Sequence, residues 1–550
     1  MKRFIITSLL ALTVGAVGMA LVVPSEKYFD IAKSLDIFST LFKEVNAYYV
    51  DEVSPKQLVD KGIEGMLESL DPYTDYIPEE QQEAFSIQTT GQYAGIGALI
   101  GLINGKTMIT HPYEGFPAQR SGLRVGDEII SVDGKNVKGK PTAEVSALLK
   151  GKPKTELELV VRRAGVSNDI PVKIQRERIK ISNVVYQGLI DSSIGYIKLD
   201  DFTPGAGKEV EDAVLKLKAA GARSLVLDLR DNPGGLLYEA VNIVNIFIPK
   251  NLEVVATKGK VPEWNKSYVT LNEPLDTEIP LAVLTSGGSA SAAEIVAGAL
   301  QDYDRAVLVG EKTFGKGLVQ TTRPLAYNAQ LKITTAKYYI PSGRCIQALD
   351  YANRKSDGTV SRFADSAKVA FKTRSGRTVF DGGGLDPDIK TPSNTPGTAV
   401  IELIDRNFIF EYAALYCSER QLPPASFRNF RLTEEEYKKF TDWLKAQQFS
   451  YATPLESKAD ELIASAKAER YYDLLKEDLS ELKNKILINK ERDWIRFRKE
   501  IGSLLETQIA FNYKLQKGQA EISLDRDPEI LEARRVLLDA AAYQKMLRPQ

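Results

Sequence analysis

A stretch of small residues, 287–295 (GGSASAAEI), places two serines between a predicted strand and a predicted helix. A serine at such a turn exposes its hydroxyl and lies beside the free N–H groups of the first helical turn. Those donors can stabilise an oxyanion, so the position suits the nucleophile of an acyl-transfer reaction. Serine and alanine at a helix start are also ordinary capping residues. The residues alone leave both Ser289 and Ser291 open as candidates.

A serine nucleophile needs a base, and the chain has one histidine, His111, which follows an apolar strand in a separate unit and is expected to be structural. Lysine can serve when it is neutral, but a free lysine has a pKa near 10.4, and only burial lowers that value enough. The stretch 310–320 (GEKTFGKGLVQ) carries two lysines. Lys316, between glycines in an apolar stretch, could be drawn inward, whereas Glu311 would keep Lys312 charged. The alternative for either lysine is solvent exposure.

A third stretch, 227–235 (LDLRDNPGG), ends a predicted strand with two glycines. Glycine lets the backbone turn sharply and direct N–H groups at a ligand. The functional interpretation is an oxyanion hole, and the alternative is a plain turn.

In this order the three stretches resemble the carboxy-terminal processing peptidases, a family of Ser-Lys proteases with a PDZ domain. Residues 331–344 (LKITTAKYYIPSGR) and 384–389 (GLDPDI) resemble that family too, and the similarity covers about residues 30–395. The resemblance implies that Ser291 is the nucleophile, Lys316 the general base and Gln320 the residue that orients the lysine. It also implies backbone oxyanion donors from Gly234 or Gly235 and from Ala292. Glu294 matches the family motif, but no role is assigned to it.

Residues 91–178 resemble a PDZ domain. Such a domain receives a terminal carboxylate on backbone N–H groups, and the substrate tail adds to it as an extended strand. The predicted carboxylate loop consists of Gly95, Ile96, Gly97 and Ala98. Val145 and Leu148 are predicted to line the pocket for the last side chains of the tail.

The surrounding pattern predicts a multidomain chain of mixed α+β and α/β class. Residues 24–90 have helical periodicity. In residues 179–395, short apolar strands alternate with helices, which indicates an α/β layer, and the resemblance implies a crotonase-like spiral of strands and helices. The predicted strands are 194–199, 225–229, 281–284 and 306–309, and the predicted helices are 208–220, 236–247 and 292–300. Residues 396–550 form a long helical extension that could be a dimer contact, a cap on the core or an adaptor site.

The first 23 residues combine Lys2 and Arg3 with an uncharged apolar run from Phe4 to Val23. This pattern is typical of a secretory signal peptide, and its length also allows an uncleaved membrane anchor. We therefore expect an exported protein, in the periplasm or on the periplasmic side of the envelope.

Composition limits the remaining functions. The 72 basic and 73 acidic side chains leave a net charge of −1, which argues against nucleic-acid binding. Two cysteines exclude a disulfide-rich scaffold and a four-cysteine zinc site. The Ser-Lys reaction that the resemblance implies requires no metal or other cofactor. The sequence predicts an exported serine endopeptidase whose partners are protein or peptide tails. The alternatives are a PDZ scaffold that binds tails without cutting them, and acyl-CoA chemistry on a similar core.

Overall fold

The computed structural model describes residues 26–351, 353–355, 359–392, 396–420 and 423–549. The predicted export segment, residues 1–23, lies outside these ranges. Of the helices in the described ranges, none is both long and apolar enough to cross a lipid bilayer. The chain divides into two compact units, residues 1–76 and 77–550.

The described part of the first unit contains α1 (Glu26–Tyr48) and α2 (Pro55–Glu68). After these helices the chain forms a turn that is closed by Asp71. Its Oδ1 accepts hydrogen bonds from the N–H groups of Tyr73 and Thr74, both at 2.8 Å. This is the usual way in which a short carboxylate replaces a backbone acceptor in a turn.

The second unit begins with α3 (Gln82–Thr90) and continues into a small sheet domain. Five of its antiparallel strands pair in the order β3-β4-β5-β7-β8, β6 pairs with β5, and β2 pairs with β9. The helix α5 packs against this sheet over a core that contains Ile109, Leu159 and Val161. The elements are β2 (Gln92–Gly95), β3 (Ala98–Ile103), β4 (Lys106–Pro112), α4 (Pro117–Arg120), β5 (Glu128–Val132), β6 (Lys135–Asn136), α5 (Thr142–Leu149), β7 (Glu156–Arg162), β8 (Ile170–Gln175) and β9 (Glu177–Lys180).

The central sheet has the strand order β10-β11-β12-β15-β16-β21, and every neighbouring pair from β11 onward is parallel. The predicted strands and helices of this region match the observed ones to within two residues. Buried parallel strands read as continuous apolar runs, which is why the sequence locates them well. The elements are β10 (Val184–Leu189), β11 (Ile194–Leu199), α6 (Ala206–Ala219), β12 (Ser224–Asp228), α7 (Leu237–Phe247), β15 (Leu281–Thr285), α8 (Ala292–Asp302), β16 (Val307–Gly310) and β21 (Ile389–Lys390).

The two faces of this sheet are covered by distant parts of the chain. Leu225 and Leu227 of β12 pack in one core with residues of α6, α7 and α8. Val226, on the other face, packs with Ile530 and Val536 of the C-terminal extension. The last helices therefore form a layer of the core, which supports the cap among the three roles considered for the extension.

A second, antiparallel sheet contains the strands β14, β13, β18 and β17 in that order. Its strands are β13 (Glu253–Gly259), β14 (Lys266–Val269), β17 (Leu318–Pro324) and β18 (Gln330–Tyr339). The remaining short strands are β1 (Asp75–Ile77), β19 (Ala370–Lys372) and β20 (Thr378–Phe380).

The C-terminal extension is helical, as predicted, with a core of its own that mixes aromatic and aliphatic residues and includes Tyr412, Phe440 and Ile501. Its helix α15 has a kink at Leu515, where φ is 53°. The helices are α9 (Thr398–Asp405), α10 (Phe408–Glu419), α11 (Glu434–Ala446), α12 (Pro454–Ala468), α13 (Tyr472–Glu491), α14 (Asp493–Arg496), α15 (Arg498–Ser523), α16 (Pro528–Leu538) and α17 (Ala540–Met546).

Candidate active site

One cavity of 650 Å³ brings together every residue that the sequence assigns to catalysis. It lies where β12, β15 and β16 end, because the loops that leave parallel strands at their carboxyl ends meet at one edge of the sheet. Apolar and small polar side chains form most of its wall, including Phe202, Leu237 and Ile295. The candidate residues among its lining are Gly234, Gly235, Ser291, Ala292, Lys316 and Gln320.

Ser291 is the N-cap of α8 and has an unusual backbone conformation, with φ 55° and ψ −115°. A non-glycine residue persists in this region only where the surrounding structure imposes it, and such positions are concentrated at functional sites. Ser289, the rival serine, is fully buried. Its hydroxyl donates to Leu229 O at 2.7 Å and accepts from Ser286 N at 2.9 Å, so it is committed to the fold of the turn.

Lys316 lies on the loop between β16 and β17, half-buried in the wall of the cavity. Its flanking glycines permit close packing, since a Cβ on Gly315 would lie 2.4 Å from Ala348 Cβ and one on Gly317 would lie 2.8 Å from Gln347 N. The rival Lys312 does not line the cavity, and its Nζ is 3.3 Å from Asp386 Oδ2. Lys316, and not Lys312, therefore lines the cavity that contains Ser291.

Glu294 joins the serine turn to the lysine loop, a connection that the sequence did not reveal. Its Oε2 accepts from the N–H groups of Ser291 and Lys316, both at 2.9 Å. Its Oε1 accepts from Gly315 N at 2.8 Å and from Thr313 Oγ1 at 2.5 Å. The capping-box spacing, serine followed three residues later by glutamate, is the one local signal for the bond to Ser291.

The side chain of Glu294 has no solvent exposure, and this burial raises its pKa to about 7. The four donors act in the opposite direction, because hydrogen bonds to a carboxylate favour its charged form. A single buried side chain thus sets the backbone positions of both candidate catalytic residues.

The turn 228–235 passes directly beside the serine. A Cβ on Gly234 would lie 2.8 Å from both Ser291 Cβ and Ala292 N, and φ at Gly234 is 94°, so only glycine fits there without strain. The N–H of Gly234 already donates to Asn232 Oδ1 at 2.8 Å. The N–H groups of Gly235 and Ala292 are therefore the stronger oxyanion candidates.

Gln320 lies on β17 in the wall of the same cavity, with its Nε2 donating to Thr334 Oγ1 at 3.1 Å across the β17–β18 pair. His111 does not line the cavity. Its ring packs against Tyr113 and Phe511 with centroid distances of 4.8 and 5.2 Å, and burial lowers its pKa to about 4. These contacts are those of a neutral, structural histidine.

A second cavity, of 390 Å³, lies between β3 and α5 in the small sheet domain. Ile96 and Ala98 of the predicted carboxylate loop line it, while Gly95 and Gly97 shape the backbone beside it, Gly97 with φ 75°. Leu99, Ile100, Thr142, Ala143, Ser146 and Leu149 also line it.

The prediction that Val145 and Leu148 line this pocket is wrong. Val145 is fully buried in the domain core, and Leu148 packs against that core. The helix α5 turns a different face to the cavity, and a short apolar helix does not reveal from its sequence which face meets the sheet.

Three family models match the chain. Residues 193–352 match peptidase family S41, residues 108–163 match the PDZ domain, and residues 399–537 match a C-terminal helical domain described for probable PDZ-proteases. A carboxy-terminal-processing protease of Bartonella bacilliformis is 35% identical over 342 residues, which cover 62% of this chain and 78% of that protein. The chain belongs to peptidase family S41.

Other relatives of this S41 member include a probable CtpA-like serine protease of Staphylococcus aureus, 41% identical over 316 residues. The match covers 57% of this chain and 62% of the staphylococcal protein. Among solved structures, the photosystem II D1 C-terminal processing protease is 26% identical, with 64% of this chain and 92% of that chain covered and a TM-score of 0.35.

Proposed function

We propose that this S41 member is an exported serine endopeptidase that cleaves protein substrates near their C-terminal tails. The observation that carries the proposal is that Ser291, Lys316, Gly235 and Ala292 all line one cavity. A Ser-Lys dyad would allow peptide hydrolysis by a chain whose one histidine does not line the cavity.

In the proposed reaction, neutral Lys316 takes the proton from Ser291 Oγ as this oxygen attacks the carbonyl carbon of the scissile bond. The N–H groups of Gly235 and Ala292 receive the developing oxyanion. The tetrahedral intermediate collapses when the lysine returns the proton to the leaving amine nitrogen, and an ester to Ser291 remains. Water then attacks the ester, with Lys316 again as the base, and releases the acid and the free serine.

The other residues have supporting roles. Gln320 orients the lysine, and Glu294 holds the serine turn and the lysine loop at a constant separation. The groove between β3 and α5 binds the substrate tail as an added strand, with its terminal carboxylate at residues 95–98. We further propose a crotonase-like spiral for the core. Residues 1–23 direct export to the periplasm and, if they are not cleaved, anchor the chain in the membrane. A homo-oligomer or adaptor contact would use the exposed helices of the extension.

The proposal is tested with protein that starts at residue 24 and an unfolded substrate with an apolar C-terminus. Wild type, Ser291→Ala and Lys316→Ala are compared, each with and without EDTA. We expect cleavage by wild type alone, unaffected by EDTA, and a loss of activity on acidification at a pH well below the pKa of free lysine, about 10.4.

Cleavage by Ser291→Ala, or a pH profile that stays flat down to pH 5, would contradict the proposed dyad. Tail binding without turnover in wild type would favour the non-catalytic scaffold. The acyl-CoA alternative predicts no cleavage of an unfolded protein at all.

A further inference from the structure

A third cavity, polar and of 580 Å³, shares the turn 228–235 with the cavity that contains Ser291 and Lys316, here called the catalytic cavity. Pro233, Gly234 and Gly235 line the catalytic cavity, whereas Asp228, Arg230 and Asp231 line the polar one. The polar cavity is completed by the C-terminal extension, which supplies Gln516, Gln519, Ala520, Ser523, Asp527 and Glu529. One short turn therefore has the proposed oxyanion donor Gly235 at one end and a contact with the extension at the other.

Arg230 makes that contact. Its Nη1 lies 2.7 Å from Asp527 Oδ2 and 2.5 Å from Glu529 Oε2, and its Nη2 lies 2.6 Å from Asp228 Oδ2. The Arg230 side chain is 15% exposed, so its ion pairs are shielded from most of the solvent. A planar guanidinium held by three carboxylates has a defined position and orientation, which a single ion pair does not ensure.

The two acidic residues of the extension are themselves fixed. Asp527 is the N-cap of α16, and its Oδ1 accepts from Glu529 N at 3.0 Å and Ile530 N at 3.1 Å. Glu529 Oε1 accepts from Thr391 Oγ1 at 2.9 Å. The helix behind them is anchored by Ile530, which is fully buried against the central sheet. These hydrogen bonds and the packing of α16 hold the two carboxylates in place.

The other residues of the turn are hydrogen-bonded to neighbouring segments, including the one that carries Ser291. Arg230 O accepts from Lys198 Nζ at 2.5 Å, and Asp231 N donates to Ser286 Oγ at 3.0 Å. Asn232 joins the turn to two other segments. Its Nδ2 donates to Leu199 O, and its backbone carbonyl oxygen accepts from Ala290 N. A displacement of the Arg230 side chain would therefore pull on the same short turn that carries Gly234 and Gly235.

We propose that Asp527 and Glu529 are positioning residues for catalysis, which hold the oxyanion turn in place through Arg230. This inference rests on the proposed function, because it assigns the extension a part in the same reaction. The substituted groups lie outside the catalytic cavity, so the expected defect is in turnover and not in substrate binding.

The test compares the full chain with the double variant Asp527→Asn/Glu529→Gln. Asparagine is as good an N-cap as aspartate, so α16 keeps its cap. The two negative charges that face Arg230 are removed. The matched control is Glu532→Gln/Asp539→Asn. Glu532 pairs with Arg535 on the same helix, and Asp539 caps α17 through Ala542 N at 2.9 Å.

We expect kcat to fall about 10- to 100-fold in the test variant, as for a small misplacement of a catalytic group, with KM within about twofold. The control should retain wild-type kcat. In hydrogen–deuterium exchange, a peptide that spans residues 228–236 should exchange faster in the test variant than in the control. This second readout needs no activity, so it separates a failure of this inference from a failure of the proposed function.

Wild-type kcat in the test variant, or unchanged exchange in residues 228–236, would overturn the inference. A fall in kcat with an equal loss in the control would also overturn it, because the effect would then come from general loosening of the extension. If wild type itself cleaves nothing, the exchange measurement alone decides whether the two carboxylates hold the turn.

Discussion

The catalytic cavity and the polar cavity meet at the same turn but differ sharply in charge. Three charged residues line the catalytic cavity, Asp201, Lys316 and Lys332. Eight line the polar one: Lys198, Asp200, Asp228, Arg230, Asp231, Glu311, Asp527 and Glu529. The turn therefore separates a weakly charged compartment from one that is rich in ion pairs.

This separation suits the proposed chemistry. A carboxylate close to a lysine stabilises the ammonium form and removes the base. On the catalytic side, burial raises the pKa of Asp201 above its usual range. On the polar side, burial acts on Asp228 in the same way, but Arg230 and Lys198 outweigh it and hold the pKa of Asp228 well below its usual range. Most of the charged side chains around this turn thus lie in the polar cavity, where acidic and basic groups face one another.

The largest effect should come from adding a methyl group where the turn 228–235 approaches Ser291. Gly234→Ala would place a methyl group 2.8 Å from Ser291 Cβ in a backbone conformation with φ 94°. We expect kcat to fall by about 100-fold or more, because the oxyanion donors must move. Steady-state kinetics on the unfolded substrate measure this change.

The control for this variant is Gly287→Ala, where a Cβ would meet nothing within 4 Å. It should retain most of the activity. Equal losses in both variants would show that any added methyl group in these turns is harmful, and that the fit of Gly234 against Ser291 is not the cause.

An intermediate effect should follow from adding a charge to the weakly charged compartment. Gln320→Glu has nearly the same shape and adds a carboxylate to the wall that carries Lys316. We expect the acidic limb of the pH–rate profile to move up by about one pH unit, because a nearby anion favours the ammonium form. The control Glu311→Gln removes a charge from the polar cavity and should leave that limb in place. If the acidic limb does not move in Gln320→Glu, the low charge of the catalytic cavity is not what sets the pKa of the base.

The smallest effect concerns His111, whose ring is buried against Tyr113 and Phe511. Its pKa is lowered to about 4 by burial, below the usual 6.5. The folded chain therefore binds fewer protons than the unfolded chain between these values, and stability is lost as the pH falls from 6.5 to 4. His111→Phe should reduce this acid-induced loss in the free energy of unfolding by about 2 kcal/mol. Denaturant titrations of both proteins at pH 7 and pH 4.5 measure it, and equal losses would contradict the prediction.

Much of this site can be located from the sequence. Ser291 follows a buried parallel strand and precedes a helix, and both elements leave clear apolar patterns. The preference for Lys316 over Lys312 rests on local context, its flanking glycines and the absence of an adjacent glutamate. Roles for Ser291, Lys316 and Gln320 remain predictions until the variants are measured.

Other parts of the site were outside the reach of the sequence. Val145 and Leu148 are apolar and therefore suit a tail pocket, but the rotation of α5 against its sheet decides which side chains face the groove. Glu294 received no role because its partners Thr313, Gly315 and Lys316 are about twenty residues away in the chain.

By itself, the sequence determined the strand–helix order of the core and the glycine-dependent turns, since these depend on neighbours within a few residues. Only the tertiary structure decided that the C-terminal helices cover the second face of the central sheet and that Asp527 and Glu529 meet Arg230 almost 300 residues earlier in the chain. Such contacts depend on how separate apolar faces pack, and a buried charge finds its partner only where that packing brings one.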